Sequence, residues 1–69
     1  MKKIHIILNG QKYYLDKYIS LMDLITYLNY NQRLVVIEYN RLICPSKTWA
    51  KIVLKKNDKI EIITIVGGG

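Results

Sequence analysis

The side chains from which most active sites are built are scarce in this chain: one histidine, one cysteine and five carboxylates. His5 sits in a strand-like run with no cysteine, serine or carboxylate beside it in sequence, so the spacing describes no nucleophile–base pair. Cys44 stands in "LICPS", a strand-then-proline context that suits a small buried apolar side chain better than a reactive thiol. Asp16, Asp23, Glu38, Asp58 and Glu61 are dispersed, with no metal-ligand spacing among them. Tyr13 and Tyr14 are adjacent, which on a strand sends them to opposite faces and denies them a shared stacking platform. What remains is the end, "IEIITIVGGG", where chemistry would have to reside on the main chain. Glycine is about 7% of ordinary residues, so three in succession at an exact terminus arise by chance about once in three thousand sequences. Gly67, Gly68 and Gly69 are not a phosphate loop, because no helix follows to supply its amides. Their permissive backbone suits a slim strip that threads a narrow channel. The terminal carboxylate of such a strip, with an ordinary pKa of about 3.3 to 3.7, is ionised at neutral pH. It could attack the α-phosphate of ATP held by another protein, leaving an acyl adenylate open to displacement by sulfur or an amine. These features describe a chain that is acted upon rather than an enzyme, with no metal or bound cofactor of its own.

A tail of that kind needs a rigid root, and the preceding residues read as one. "KIHIILNGQKYYL" places two strand-like runs around Asn9-Gly10, the dipeptide that accepts positive φ at both centres of a tight hairpin turn. Strand, turn and strand are expected from about 2 to 15, with Ile4, Ile6 and Leu8 facing the core and His5 and Ile7 the other side. Leu21, Leu24, Ile25 and Leu28 then recur at i, i+3, i+4 and i+7, one apolar helix stripe. Ser20 as N-cap and Asp23 three residues on give a capping-box-like start to a helix over about 21–30, which "NYNQ" would end. "LVVIEY" reads as a third strand, and "LIC" as a short one that Pro45 stops. "SKTWAKI" admits one helical turn with Ser46 as its cap, and Trp49 is expected to plug an edge of the core. A turn at Asn57-Asp58 leads into a last strand over 59–66. The order implies a single two-layer α+β domain over 1–66, a sheet of four to five strands covered on one face by one helix, followed by the tail 67–69. One helix covers one face only, so Ile7, Ile63 and Ile65 should lie on the open face, where a contiguous patch would mark a partner.

Composition sets the outer bounds. At 69 residues, 51% of them hydrophobic, the chain can form one domain near the small end of what folds without staples. The apolar runs are far too short to cross a bilayer, no signal core opens the chain, and a lone cysteine suits a reducing compartment, so a soluble cytoplasmic location is expected. The formal charge is +6, from 11 basic residues scattered over every segment, only two of them arginine. Scatter and the shortage of arginine argue against nucleic acid as the partner.

Several stretches together resemble the ThiS family, the β-grasp, ubiquitin-like sulfur carriers of thiamine biosynthesis. They are "ILNG" in the first hairpin, Asn40 after the third strand, "CPS" followed by Trp49, "NDKIEI" before the last strand, and the closing "VGGG". Together they cover nearly the whole chain; Arg41 departs from the pattern, standing where members of the family often have glycine. The resemblance implies that the Gly69 carboxylate is adenylated by a ThiF-like, E1-like adenylyltransferase that consumes ATP. Sulfur from a donor such as a cysteine desulfurase then converts it to a thiocarboxylate, which a ThiG-like thiazole synthase accepts. It further implies that Gly67 and Gly68 thread into the partner's active site, and that Ile7, Ile63 and Ile65 lie on the docking face. The location would be plastid stroma were the gene organellar. The small carrier of molybdopterin synthesis and protein-conjugating modifiers share the fold and the Gly-Gly ending, although the molybdopterin carriers tend to be longer, with a proline before the tail that "ITIVGGG" lacks. A small basic nucleic-acid-binding module is the reading from a different class.

Overall fold

Asn9 and Gly10 both take positive φ (49° and 83°), the backbone of a two-residue hairpin turn, and the strands they join pair antiparallel with Leu8 opposite Gln11. The computed structural model describes residues 3–65. In chain order it contains β1 (Ile4–Leu8), β2 (Gln11–Leu15), α1 (Leu21–Tyr27), a 3-10 turn (Gln32–Leu34), β3 (Val35–Tyr39), β4 (Leu42–Ile43), a second 3-10 turn (Ser46–Lys51) and β5 (Lys59–Thr64). The five strands form one mixed sheet in the order β2-β1-β5-β3-β4. β5 is central, parallel to β1 and antiparallel to β3. This is the α+β, β-grasp arrangement that the sequence implied.

The helix starts as its cap residues dictate. Asp23 N–H donates to Ser20 Oγ at 3.0 Å and Ser20 N–H donates to Asp23 Oδ2 at 3.1 Å, the reciprocal capping box. It is shorter than the expected 21–30, because Leu28 is the C-cap and Asn29 follows at φ 62°. Tyr30 N–H then donates back to Ile25 C=O and Asn29 N–H to Thr26 C=O, the paired bonds of a left-handed helix end. Leu21, Leu24 and Ile25 are buried against Ile6, Ile37, Ile60 and Ile62 of the sheet. Each is worth about 1.5–3 kcal/mol relative to exposure.

Trp49 lies within the core rather than at its edge, 1% exposed, and its indole N–H donates to Cys44 C=O at 2.8 Å. That bond holds the crossover after β4 against the helix layer. Ser46 does not cap this turn: Pro45 is the N-cap and makes no side-chain bond, while Thr48 Oγ1 donates back to Pro45 C=O at 2.7 Å. Proline's fixed φ starts the turn and the hydroxyl three residues later closes it, so a serine cap is redundant.

Candidate functional site

The strand that leads to the C-terminal residues is fixed at its root by a polar cluster. Asp58, 5% exposed, accepts from the Tyr39 hydroxyl at 2.6 Å and from Lys55 N–H at 2.8 Å through Oδ2, and from Asn40 Nδ2 at 3.2 Å through Oδ1. Asn40 also brackets Lys59: its N–H donates to Lys59 C=O and its Oδ1 accepts from Lys59 N–H, each at 2.8 Å. Burial, and then the bond to Asp58, push the Tyr39 hydroxyl up to about 12 from its ordinary value near 10. The β3–β4 turn and the loop before β5 are thereby tied together, and the direction in which β5 leaves them is set.

Further along β5 the strand partner on one side runs out, since the β1 register stops at Leu8 opposite Ile60. The Asn9 side chain takes its place: Oδ1 accepts from Ile62 N–H at 2.7 Å while Asn9 N–H donates to Ile60 C=O. On the other side β3 continues, with Val36 opposite Ile63 and Ile65 N–H donating to Leu34 C=O. Gly67, Gly68 and Gly69, the residues singled out for tail threading and sulfur attachment, lie outside the described residues.

The open sheet face divides into two ends. At the far end of β5, Val36 pairs with Ile63, and Ile65, just past the strand, donates its N–H to Leu34 C=O at the end of the 3-10 turn; Leu34, Ile63 and Ile65 are each about half exposed. Ile63 and Ile65 therefore share one apolar band, and Leu34 and Val36 belong to it although sequence reasoning missed them. Period-two alternation gives the face of a residue, whereas only the β3–β5 register shows which residues on that face are neighbours. Ile7 is not part of the band. It pairs with Lys59, four residues or about 13 Å down β5 from Ile63, with Glu61 between them and Glu38 directly opposite Glu61 on β3.

The other chemically capable residues occupy structural positions. His5 packs edge-on to Tyr14 at 6.0 Å between ring centroids, and Cys44 is buried with Sγ 3.3 Å from Thr48 Oγ1. A groove of about 540 Å³ between β2 and α1 is walled by Tyr13, Tyr18, Asp23 and Tyr27. Asp23 is already committed there to the helix cap. Among the described residues no three histidine, cysteine or acidic side chains come together as a metal site, and no helix is long and apolar enough to cross a membrane.

A helix-covered mixed sheet whose central last strand runs toward a glycine-ended terminus defines a β-grasp protein of the ubiquitin-like kind. The fold matches the crystal structure of a thiamine biosynthesis protein (ThiS) from Geobacter metallireducens with a TM-score of 0.81. That match has 22% identity and covers 96% of this chain and 100% of that one. The solution structure of a thiamine biosynthesis protein from the same organism gives 0.78, at 22% identity over 96% and 88% of the two chains. The model of the ThiS family matches residues 6–69, and the chain belongs to that family. Among its relatives, an uncharacterized protein ycf40 of Trieres chinensis is 55% identical over 90% of this chain and 85% of its own. The ycf40 of Pyropia yezoensis is 41% identical over 96% and 93%. A thiazole synthase of Magnetococcus marinus is 31% identical over 97% of this chain, which is only 20% of that longer protein.

Proposed function

We propose that this protein is the sulfur carrier for the thiazole moiety of thiamine, a consumed co-substrate rather than an enzyme. The observation that carries the reading is the family match through residue 69 together with a homologous stretch inside longer chains named thiazole synthase. A carrier and the enzyme that takes its cargo gain effective concentration when they share one chain. That linkage favours the thiazole pathway over the molybdopterin one and supports a thiazole synthase as the acceptor.

In this reading one carboxylate oxygen of Gly69 attacks the α-phosphate of ATP on a ThiF-like adenylating enzyme, and pyrophosphate leaves. Persulfide sulfur, supplied by a donor such as a cysteine desulfurase, then displaces AMP to give an acyl disulfide; a second thiol attacks the donor's sulfur, is oxidised with it to a disulfide, and releases the Gly69 thiocarboxylate for a ThiG-like synthase. The chain binds no cofactor itself; ATP is spent by the enzyme. Gly67 and Gly68 pass the enzyme's narrow entrance without side chains, and the Leu34, Val36, Ile63 and Ile65 band rests against the surface around it. We place the protein in the cytoplasm, or in the plastid stroma where its gene is organelle-encoded, and kinship with the ycf40 proteins supports the second.

The test is intact-mass spectrometry after incubation with ATP, the adenylating enzyme of the same genome and a sulfur source. The expected product has gained one oxygen-to-sulfur exchange, located at Gly69 and sensitive to alkylation. A chain unchanged in mass with an adenylating enzyme active on its own carrier would refute the reading. Deleting Gly69 should abolish the exchange, whereas salt-sensitive binding to nucleic acid would survive that deletion.

A further inference from the structure

The second end of the open face carries the charge that the carrier reading leaves unused. Lys12, Ile7 and Lys59 stand in register across β2, β1 and β5, so the two lysines project from the same face two strand spacings, or about 10 Å, apart. Arg41, in the turn that follows Asn40, continues the row past β5, and with Ile7 and Lys59 on one side and the carboxylates Glu38 and Glu61 on the other it walls a groove of about 200 Å³. All three cations are exposed. Arg41 holds φ at 74°, a left-handed conformation that glycine adopts freely and arginine does not. A strained residue that persists in an exposed turn points to a use for its side chain.

We infer that Lys12, Arg41 and Lys59 form a docking row for an acidic patch on the adenylating enzyme, centred about 13 Å along the sheet from the apolar Val36–Ile63 pair. The inference rests on the carrier reading and adds to it the charge of the partner. The row runs from β2 across β1 and β5 to the β3–β4 turn and matches a cluster of two or three carboxylates. A phosphate backbone laid along the face would instead meet Glu38 and Glu61, which lie side by side between the row and the apolar band. Two ends of different chemistry also fix orientation: the apolar band seats the root of the tail, and the cationic row prevents the face from docking in the reversed direction. Charge of this kind acts chiefly on the association rate, through steering that salt screens.

Stopped-flow association with the adenylating enzyme tests this, using K12Q/R41Q/K59Q against K17Q/K47Q/K51Q. Both triple variants lower the formal charge from +6 to +3, but the second removes cations from outside the row. The row variant should associate at least tenfold more slowly at low salt and converge with the parent near 1 M salt, where the screening length falls to about 3 Å; the control should stay within about twofold. Equal slowing of both variants would show a net-charge effect and overturn the inference, as would an unaffected row variant. Binding of a 24-base-pair duplex DNA or of anionic vesicles that is lost only in the row variant, with enzyme association intact, would overturn it in favour of those surfaces. R41G separates use from strain: it should raise the melting temperature by a few degrees while slowing association, and a faster or unchanged rate would remove Arg41 from the row. Sulfur uptake by mass is read in parallel. Uptake with no row effect sinks only this inference, and no uptake by any variant sinks the carrier reading beneath it.

Discussion

Removing the Asp58 carboxylate should loosen the root of β5 more than any other single surface-proximal change. In Asp58→Ala, the Tyr39 hydroxyl and Lys55 N–H lose acceptors at 2.6 and 2.8 Å, and Asn40 loses one at 3.2 Å. A hydrogen bond to a charged group contributes about 1.5–3 kcal/mol. The Asn40 bond is the longest and its exposed donor regains water, so counting only the two short, part-buried bonds at the low end of that range gives a loss of about 3 kcal/mol. A domain of this length has roughly 3–10 kcal/mol in total, so the loss corresponds to a fall in melting temperature of about 12–24 °C. Asp58→Asn keeps one oxygen for Tyr39 and Lys55 but turns an amide toward the Asn40 amide, which limits its cost to about 1 kcal/mol. Urea unfolding followed by Trp49 fluorescence measures both, because the chain's single tryptophan is 1% exposed and reports loss of the core directly. An Asp58→Ala protein within 0.5 kcal/mol of the parent at unchanged m-value would refute the assignment of Asp58 as the anchor.

Three further outcomes test neighbouring parts of the molecule. The Tyr39 hydroxyl is raised in the folded state, so its contribution is complete below pH 10 and is lost as pH climbs toward about 12. Tyr39→Phe should therefore unfold with a shallower alkaline limb than the parent over that window, and identical limbs would remove the Asp58 bond as a stabilising element. Asn9→Ala forfeits both the acceptor for Ile62 N–H and a residue tolerant of φ 49°; it should cost about 1–2 kcal/mol and speed exchange of the Ile62 amide. Ile63→Glu, placed beside Val36 in the apolar band, should raise KM for adenylation at least tenfold, whereas Val53→Glu on the far side of the molecule should not; equal effects would detach the band from docking.

What the sequence discloses tracks how local each determinant is. Asn9-Gly10 and Ser20-to-Asp23 act within four residues, and both formed as read. The buried alternation of Ile60 and Ile62 against exposed Ile63 and Ile65 likewise needs only one strand. The strand order, the parallel β1–β5 pair and the Asp58 cluster join residues far apart in sequence, and no local spacing encodes them. Ile7 shows the same limit. Its face was legible, yet its distance from Ile63 depends on where β1 ends beside β5. Ser46 suits a cap by residue type alone, whereas Pro45 already sets the backbone that a cap would provide. Arg41 was visible as a departure from the family pattern, but its positive φ emerges only from the turn that β3 and β4 impose.

The two ends of β5 are held differently, and this bears on how the tail is used. At the root, Lys59 and Ile60 are bound by Asn40, by β1 and by the core, and Ile62 by the core and Asn9. Beyond Ile62 the pairing is with β3 alone, through Val36–Ile63 and the Leu34 carbonyl. Amides at 60 and 62 should accordingly exchange only when the whole domain unfolds, and those at 63 and 65 by local opening of the tip. An enzyme that seats on the apolar band would close the opening route without touching the global one. Adding the adenylating enzyme should then slow exchange at Ile63 and Ile65 by a larger factor than at Ile60 and Ile62, measured by amide hydrogen exchange with site resolution. Uniform protection across β5 would mean that binding stabilises the fold as a whole, and the band would lose its role as the seat of the tail.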